Sequence, residues 1–155
     1  MVIIRKAKLK DAKQITELHL KLMRYHEPFD KYYSLRKNAR KTTLDYNKKA
    51  IRSPKKMVLV AEDKNKIIGF IVGELEKGVP IFKRKFIGRI GGTYILSKYR
   101  RKGITKQLIK ILFDWFRSKK IEFIELYVDH RNTLGLKTWE KMGFKNFQKR
   151  MKIKL

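Results

Sequence analysis

The pattern of the chain turns from extended to helical within one segment, Gly92-Thr93-Tyr94-Ile95-Leu96-Ser97-Lys98-Tyr99-Arg100-Arg101-Lys102-Gly103-Ile104-Thr105. The residues before Ser97 are mostly β-branched, aromatic or aliphatic, which predicts a strand. From Gly103 to about Ser118, apolar residues recur at helical spacing, at Ile104, Leu108, Ile111, Leu112, Trp115 and Phe116. A strand, a short basic turn and the start of a helix therefore follow one another directly.

This basic turn predicts an anion site. The first N–H groups of a helix have no partner inside the helix, and the helix dipole places partial positive charge there. Arg100, Arg101 and Lys102 add charge-assisted contacts, and Gly103 lets phosphate oxygens approach the backbone. Taken alone, the turn is equally compatible with an ordinary basic helix start. The chain has no Gly-x-x-x-x-Gly-Lys-Ser/Thr motif, so a P-loop is excluded.

Outward from this segment, hydrophobic periodicity predicts alternating strands and helices. The predicted elements are a strand at 2–4, a helix from the cap residue Asp11 to about His26, a helix at 36–51, strands at 57–61, 67–75 and 82–96, the helix at 103–118, a strand at 121–128, a helix at 132–142 and a last strand from Phe144 onward. Gly69 and Gly73 indicate close backbone approach or a bulge, and Gly143 ends its helix. This order predicts one α+β (mixed α/β) domain over residues 1–155, with helices covering a central sheet.

Composition limits the classes of protein. With 155 residues, 43% of them hydrophobic, the chain suits a single core. No apolar run approaches the roughly 18 residues of a membrane span, and no signal peptide pattern opens the chain, so a cytoplasmic protein without membrane contact is expected. The absence of cysteine excludes disulfides, thiolate metal sites and a cysteine nucleophile.

The charge is strongly positive, with 41 Lys and Arg against 14 Asp and Glu, a net charge of +27. Such a protein attracts polyanions, which include a phosphate-bearing coenzyme, nucleic acid or an acidic protein surface. The basic residues are spread along the chain rather than gathered in a tail, which favours a solvated basic surface as the main explanation.

A second block downstream completes a family pattern, with Val128, Asn132, Gly135, Trp139 and Gly143-Phe144 at fixed offsets. Together with Arg100, Gly103 and Thr105 in the first segment, it makes the chain resemble the GNAT family of N-acetyltransferases. The signature of that family, Arg/Gln-x-x-Gly-x-Gly/Ala, is entered from a strand and opens a helix. Two blocks at the right mutual distance are far more specific than either block alone.

The resemblance implies an acyl-CoA N-acyltransferase-like fold, with a mostly antiparallel sheet and strands that splay at the coenzyme site. It implies acetyl-CoA as cosubstrate and no metal. Backbone N–H groups of Arg101, Lys102, Gly103, Ile104 and Thr105 are then expected to hold the pyrophosphate. By the same resemblance, Tyr94 and Ile95 hydrogen-bond the pantetheine arm, and Asn132 contacts it.

Three departures from the family pattern concern catalysis. Thr105 replaces a small residue, and its hydroxyl can itself donate to a phosphate. Trp139 stands where most members carry the tyrosine that protonates the leaving thiolate, and an indole is not a useful acid. The strand positions that often supply a glutamate hold Gly91 and Thr93. Substitute bases are Glu74 or the neighbouring Glu76, and His130, while His19 and His26 lie on or near the first helix.

The acceptor is expected beside the loop at 26–33, whose aromatic residues either enclose it or pack the loop itself. Glu27 or Asp30 would steer an ammonium group. The leading hypothesis is an N-acetyltransferase acting on a primary amine of an unidentified small molecule or protein, and the charge favours an amine on an anionic carrier. The alternative is a catalytically weak or inactive acetyl-CoA-binding sensor or partner protein. A basic nucleic-acid-binding module is a third reading, and a homodimer stays open.

Overall fold

The structure is a computed structural model that describes residues 1–155. Five strands and four helices follow in the order β1 Ile3–Lys6, α1 Ala12–His26, α2 Ala39–Arg52, β2 Lys56–Asp63, β3 Lys66–Lys77, β4 Phe86–Ile95, α3 Ile104–Ser118, β5 Ile124–Leu126 and α4 Thr133–Lys141. The strands form a single sheet in the order β1-β2-β3-β4-β5. All neighbours are antiparallel except β4 and β5, which run parallel. The predicted α+β fold with a mostly antiparallel sheet is confirmed.

Two apolar clusters lie on opposite faces of the sheet. On one face Leu108, Leu112 and Phe116 of α3 pack with sheet residues. On the other face Ile15 and Leu18 of α1 pack with further sheet residues. Each helix presents one apolar stripe, because its large residues recur every three or four positions. The sheet is therefore covered on both faces, which is why the long strand β3 is apolar almost throughout.

Glycines let α3 lie close to the sheet. A Cβ added to Gly88 would lie 2.8 Å from the Phe116 ring, and one on Gly73 would collide with Leu112. The close approach that Gly73 predicted is thus present.

The sheet opens at the end of β4. Ile71 of β3 pairs with Thr93, whereas Gly73 pairs with Ile90, so Gly91 and Gly92 bulge opposite a single residue of β3. β5 pairs with β4 only as far as Ile90. Beyond that point the two strands diverge, which confirms the predicted splay and leaves one edge of residues 91–95 unpaired.

The strand predicted from Phe144 onward is wrong, because residues 144–155 form no strand and residues 145–155 are exposed. A strand needs a partner edge, and β5 has only the residues Ile124–Leu126, fewer than the 121–128 that the pattern predicted. The tail also bears lysines, and the ammonium of Lys152 lies 2.7 Å from a carboxylate oxygen of Asp30. The tail thus contacts the rest of the domain through an ion pair rather than through strand pairing.

Asp11 precedes α1 as predicted, but its side chain does not cap that helix. Its carboxylate instead accepts hydrogen bonds from Arg5 at 2.7 and 3.0 Å and from the backbone N–H of Lys8 at 2.7 Å. Arg5 also donates to Glu62 of β2. The pKa of Asp11 is lowered, chiefly by the hydrogen bond from Arg5. This cluster fastens β1, β2 and the start of α1 together.

No helix in the structure has the length and apolar character needed to cross a membrane.

Candidate active site

The turn before α3 exposes a run of unbonded backbone N–H groups. Arg101 and Gly103 both have positive φ, at 60° and 74°, and such alternation turns successive N–H groups to one side. No N–H of residues 101–106 donates a hydrogen bond within the protein; the first that does is Gln107, to the carbonyl of Gly103 at 3.1 Å. The arrangement is an anion cradle made by the main chain at the positive end of a helix.

The basic side chains around this cradle divide into two groups. Arg100 is fixed inward, since its Nε donates to the Ile95 carbonyl at 3.0 Å and its guanidinium lies 5.4 Å from the Tyr94 ring centroid. Arg101 and Lys102 are exposed. Arg100 therefore shapes the corner between strand and turn, whereas Arg101 and Lys102 supply positive charge where an anion would arrive.

The open edge of β4 begins where this cradle ends. The N–H of Leu96 bonds the carbonyl of Ile68 on β3. Since strand residues alternate in direction, the backbone groups of Ile95 and Thr93 face the unpaired edge. Of the two residues predicted to bind the pantetheine arm, Ile95 thus faces this edge with its N–H, while its carbonyl accepts from Arg100 Nε at 3.0 Å. Tyr94 pairs with β3 and turns its ring toward the α1 face.

Asn132 lies at the N-terminus of α4, in the chain that follows β5. Its Oδ1 accepts from the N–H of Gly135 at 2.9 Å and from the Tyr25 hydroxyl at 3.4 Å. A Cβ on Gly135 would approach Asn132 Nδ2 to 2.6 Å, which explains the glycine. The Nδ2 group of Asn132 has no partner in the protein, so it is free to donate to a ligand.

The loop between α1 and α2 is tied to the chain that follows β5. The hydroxyl of Tyr33 donates to Asp129 at 2.8 Å, and Arg131 grips the same carboxylate with two hydrogen bonds of 2.8 Å. Arg131 also bonds the Phe29 carbonyl and pairs with Asp30. The guanidinium of Arg131 holds the pKa of Asp129 far below its usual range. These contacts connect residues 29–33 of the loop to residues 129–131.

The acidic residues expected to steer an ammonium group are already engaged. Asp30 pairs with Lys152, which together with the backbone N–H of Tyr32 and with Arg131 lowers its pKa to about 2. Glu27 accepts from the backbone N–H of Leu35 at 3.2 Å. The aromatic rings of the loop pack on one another at centroid distances of 5.5 to 5.8 Å. The structure thus favours a loop packed by its own aromatic residues.

The predicted bases Glu74 and Glu76 are held in ion pairs, and His130 is exposed. Glu74 is paired with Lys56 at 2.9 Å and stands opposite Arg89, on the part of β4 that precedes the bulge. Glu76 is paired with Arg89 at 2.8 Å. The His130 side chain is 86% exposed, with its Nδ1 3.7 Å from Asp129. No three His, Asp or Glu side chains are grouped as metal ligands.

Trp139, at the position where the family usually carries its acid, packs in the apolar cluster on the α3 face. Its ring meets Phe144 edge to face, with centroids 5.5 Å apart. The indole therefore behaves as a core aromatic in this structure.

His19 of α1, one of the histidines named from the sequence, lies beside the bulge. A Cβ added to Gly92 would be 3.0 Å from His19 Nε2. The other ring nitrogen, Nδ1, is 3.2 Å from Oδ1 of Asn47 on α2. Burial lowers the pKa of His19. Its position in the helical pattern was visible, but the partner Asn47 comes from a second helix and no local pattern connects them.

Comparisons with known proteins agree with this geometry. Residues 13–144 match the model of the acetyltransferase (GNAT) family. The N-terminal acetyltransferase B complex catalytic subunit NAA20 of Arabidopsis thaliana is 31% identical over 84 residues, which are 52% of this chain and 44% of that protein. The chain thus spans less than half the length of this relative.

Solved structures of low sequence identity share the fold. A tetramutant of the BH1408 protein from Bacillus halodurans superposes with a TM-score of 0.87 at 21% identity over 99% of both chains. A predicted acetyltransferase from Clostridium acetobutylicum, solved with acetyl-CoA, gives 0.81 at 20% identity over 99% of this chain and 96% of that one. The aminoglycoside N-acetyltransferase AAC(6')-Iy in complex with CoA gives 0.80 at 17% identity, over 100% and 95% of the two chains.

Proposed function

The chain belongs to the GNAT family of acetyltransferases, and from that premise we propose that it transfers the acetyl group of acetyl-CoA to a primary amine. One observation carries the proposal: the unbonded N–H groups of residues 101–106 lie at the start of α3, beside the open edge of β4. An anion cradle next to an unpaired strand edge suits a ligand that joins phosphates to an amide-bearing arm.

In this proposal each part of the coenzyme has a matching part of the chain. The backbone N–H groups of residues 101–105 would hold the pyrophosphate, with Arg101 and Lys102 adding charge. The open edge at Thr93 and Ile95 would hydrogen-bond the pantetheine arm as a strand partner does. Asn132 Nδ2, which has no partner in the protein, would donate to the same arm.

Acetyl-CoA would supply an activated acyl group, and the protein would supply position and polarity. Holding the donor against β4 converts a bimolecular reaction into an effectively unimolecular one. Backbone N–H groups of the bulged strand would stabilise negative charge on the thioester oxygen. Neither contribution depends on Trp139, so the missing tyrosine leaves both intact.

The acceptor is proposed to be an amine carried on an anionic molecule. The net charge of +27 repels free polycations and attracts acidic carriers. The ion pairs of Asp30 with Lys152 and Arg131 agree, because two cations already compensate the charge of that carboxylate. An acidic peptide with a free α-amino group is therefore the first acceptor to test, with kanamycin and putrescine as cationic comparisons.

Coenzyme binding is tested by thermal unfolding with acetyl-CoA. At a concentration 100 times Kd, binding to the folded state should raise Tm by about 5–10 °C. Acetyl-pantetheine, which has the thioester but no pyrophosphate, is the matched control and should give a much smaller rise. An unchanged Tm with acetyl-CoA would refute the proposal.

Catalysis is tested by thiol release from acetyl-CoA with the three amines. Release that depends on both protein and amine supports the transferase. A raised Tm without release above the rate of the uncatalysed reaction would instead support the coenzyme-binding sensor.

A further inference from the structure

His19 reaches the strand because a glycine leaves room for it. At Gly92 a Cβ would lie 3.0 Å from both His19 Nε2 and the Phe70 ring, so any larger residue would push the imidazole away. At the neighbouring Gly91 a Cβ would be in ordinary contact with Val72 at 3.8 and 3.9 Å, so that position is not crowded. Both glycines belong to the bulge on the splayed part of β4. The imidazole is thus the side chain that this structure brings to the proposed reaction site.

A chain of hydrogen bonds fixes which ring nitrogen carries the proton. The Thr16 hydroxyl donates to the Ala12 carbonyl at 2.7 Å, so its oxygen accepts from Asn47 Nδ2 at 3.0 Å. The amide of Asn47 is thereby oriented with Oδ1 toward His19, and Nδ1 must donate to it. The proton of a neutral imidazole then lies on Nδ1, and Nε2 has a free lone pair.

Nε2 is also available. It has no hydrogen-bond partner in the protein and is not among the side-chain atoms that are buried without one. Thr16 and Asn47, in contrast, are fully buried. The hydrogen-bond chain is therefore buried at Thr16 and Asn47, whereas Nε2 of His19 is accessible where it faces β4.

The surroundings keep this imidazole neutral. Phe70 of β3 and Gly92 of β4 contribute no charge, and the one titratable group that α2 turns to the ring is Tyr46, at a centroid distance of 5.8 Å. Behind Tyr46 lies the ammonium of Lys56, a further reason to disfavour a second positive charge. Burial lowers the pKa of His19, so the basic form is present at neutral pH.

We propose that His19 is the general base for the acceptor amine, with Asn47 and Thr16 as positioning residues; the proposal rests on the acetyl transfer proposed above. Nε2 takes one proton from the ammonium group of the acceptor. The freed lone pair attacks the thioester carbonyl carbon, the C–N bond forms and the C–S bond breaks. A second proton from the nitrogen reaches the leaving thiolate through solvent, and His19 then returns its proton to water. One proton is released per acetyl group transferred.

The first test compares His19→Gln with Lys21→Gln, using whichever of the three amines is turned over fastest. Lys21 lies on the same helix and is exposed, so it serves as the control. We expect His19→Gln to lower kcat/KM at neutral pH by about 100-fold or more, and Lys21→Gln to change it by less than about threefold. The loss should shrink as pH approaches the pKa of the amine, because an unprotonated acceptor needs no base.

Two readouts separate this proposal from the one it rests on. The rise in Tm with acetyl-CoA should be the same in His19→Gln as in the unchanged protein, since the imidazole does not touch the anion cradle. In the unchanged protein, NMR of the ring nitrogens should show the proton on Nδ1 and a free Nε2. Observation of the Nε2–H tautomer would overturn the proposal without any need for turnover.

The positioning role is tested by Asn47→Asp. A carboxylate beside Nδ1 stabilises the imidazolium, so the acidic limb of the pH profile of kcat/KM should move to higher pH by about one unit. A residue with only a structural role would lower stability and leave the limb in place. Activity of His19→Gln within about threefold of the unchanged protein at neutral pH, or an unmoved limb in Asn47→Asp, would refute the assignment.

Discussion

At the scale of single residues, two glycines share a backbone conformation and differ in position. Gly103 before α3 has φ of 74° and Gly143 after α4 has φ of 93°, and a Cβ on either would meet no neighbouring atom. Any effect of alanine is therefore backbone strain, which is about 1–2 kcal/mol at such angles.

Alanine should consequently destabilise both variants by a similar amount but impair coenzyme binding in only one. We expect Gly103→Ala to weaken the Kd for CoA about tenfold, because relief of the strain rotates the N–H groups of the cradle. Gly143→Ala should keep its Kd. Urea unfolding and isothermal titration calorimetry measure the two quantities, and equal Kd values in both variants would contradict the role given to Gly103.

Asp11 should make stability depend on pH. Its pKa is lowered in the folded protein, so its contribution is present above its unfolded pKa of about 3.9 and is lost as pH falls through the folded value. Asp11→Asn should lower the free energy of unfolding by about 2 kcal/mol at neutral pH, and by less near pH 3. Asp114, whose side chain is 61% exposed beside Arg117, is the control. Asp114→Asn should change stability by less than about 0.5 kcal/mol at either pH.

Local residue chemistry made part of the site predictable. Gly103 and Gly143 indicated the helix boundaries, because the backbone there needs a positive φ that glycine adopts freely. His19 was only one of several candidate histidines in the sequence, since the role proposed for it depends on Asn47 and Gly92, and three distant segments converge only in the folded chain. Glu74 was a candidate because of its place at the end of the neighbouring strand, and its ion pair with Lys56 is a cross-strand contact that no spacing reveals.

At the scale of elements, the close packing of α3 on the sheet depends on a glycine of β4. A Cβ on Gly88 would lie 2.8 to 3.0 Å from three atoms of the Phe116 ring, whereas one on Gly91 would be in ordinary contact with Val72 at 3.8 and 3.9 Å. Gly88→Ala should therefore destabilise the protein by about 1–3 kcal/mol through overpacking. Gly91→Ala should be neutral or stabilising by up to about 1 kcal/mol, because alanine has less freedom to lose on folding. Urea midpoints compare the two, and equal midpoints would contradict the packing described for α3.

Element type followed from periodicity, but element ends did not. The helices α1 to α4 and strands β1 to β4 were predicted close to their observed places. β5 and the tail were not, because pairing rather than propensity determines whether such segments become strands. Met151, Ile153 and Leu155 alternate with lysines as in a strand, yet all three are exposed in the structure. Hydrophobic alternation shows which residues of a segment would be buried in a strand, but it does not show whether a neighbouring strand is available to pair with it.

At the scale of the whole molecule, the carboxylates are largely consumed by internal pairs. Ten of the 14 acidic side chains take part in ion pairs, but only seven of the 41 Lys and Arg side chains do. Most basic groups therefore face solvent without a partner. The excess of positive charge was visible in the composition, whereas its distribution required the fold.

Binding to a polyanion should accordingly weaken steeply with salt. We expect the Kd for heparin to rise by about 100-fold or more between about 50 and 200 mM salt, since each neutralised site releases a counterion. The Kd for acetyl-CoA should change less, because in the proposed binding mode backbone N–H groups provide much of that contact. Fluorescence titration at several salt concentrations measures both. A heparin Kd that does not respond to salt would show that the basic surface binds no polyanion electrostatically.

The main-chain cradle before α3 has a consequence for how the sequence is able to vary over evolutionary time. A contact made by a side chain disappears with one substitution, whereas a contact made by a backbone N–H survives exchange of the residue that carries it. If the turn binds the coenzyme as proposed, substitutions at residues 101–106 should be limited mainly by backbone conformation, and most strictly where φ is positive, at Gly103 and Arg101. The other positions should then tolerate exchange without loss of binding. A sequence could thus diverge widely in this turn and keep the proposed function.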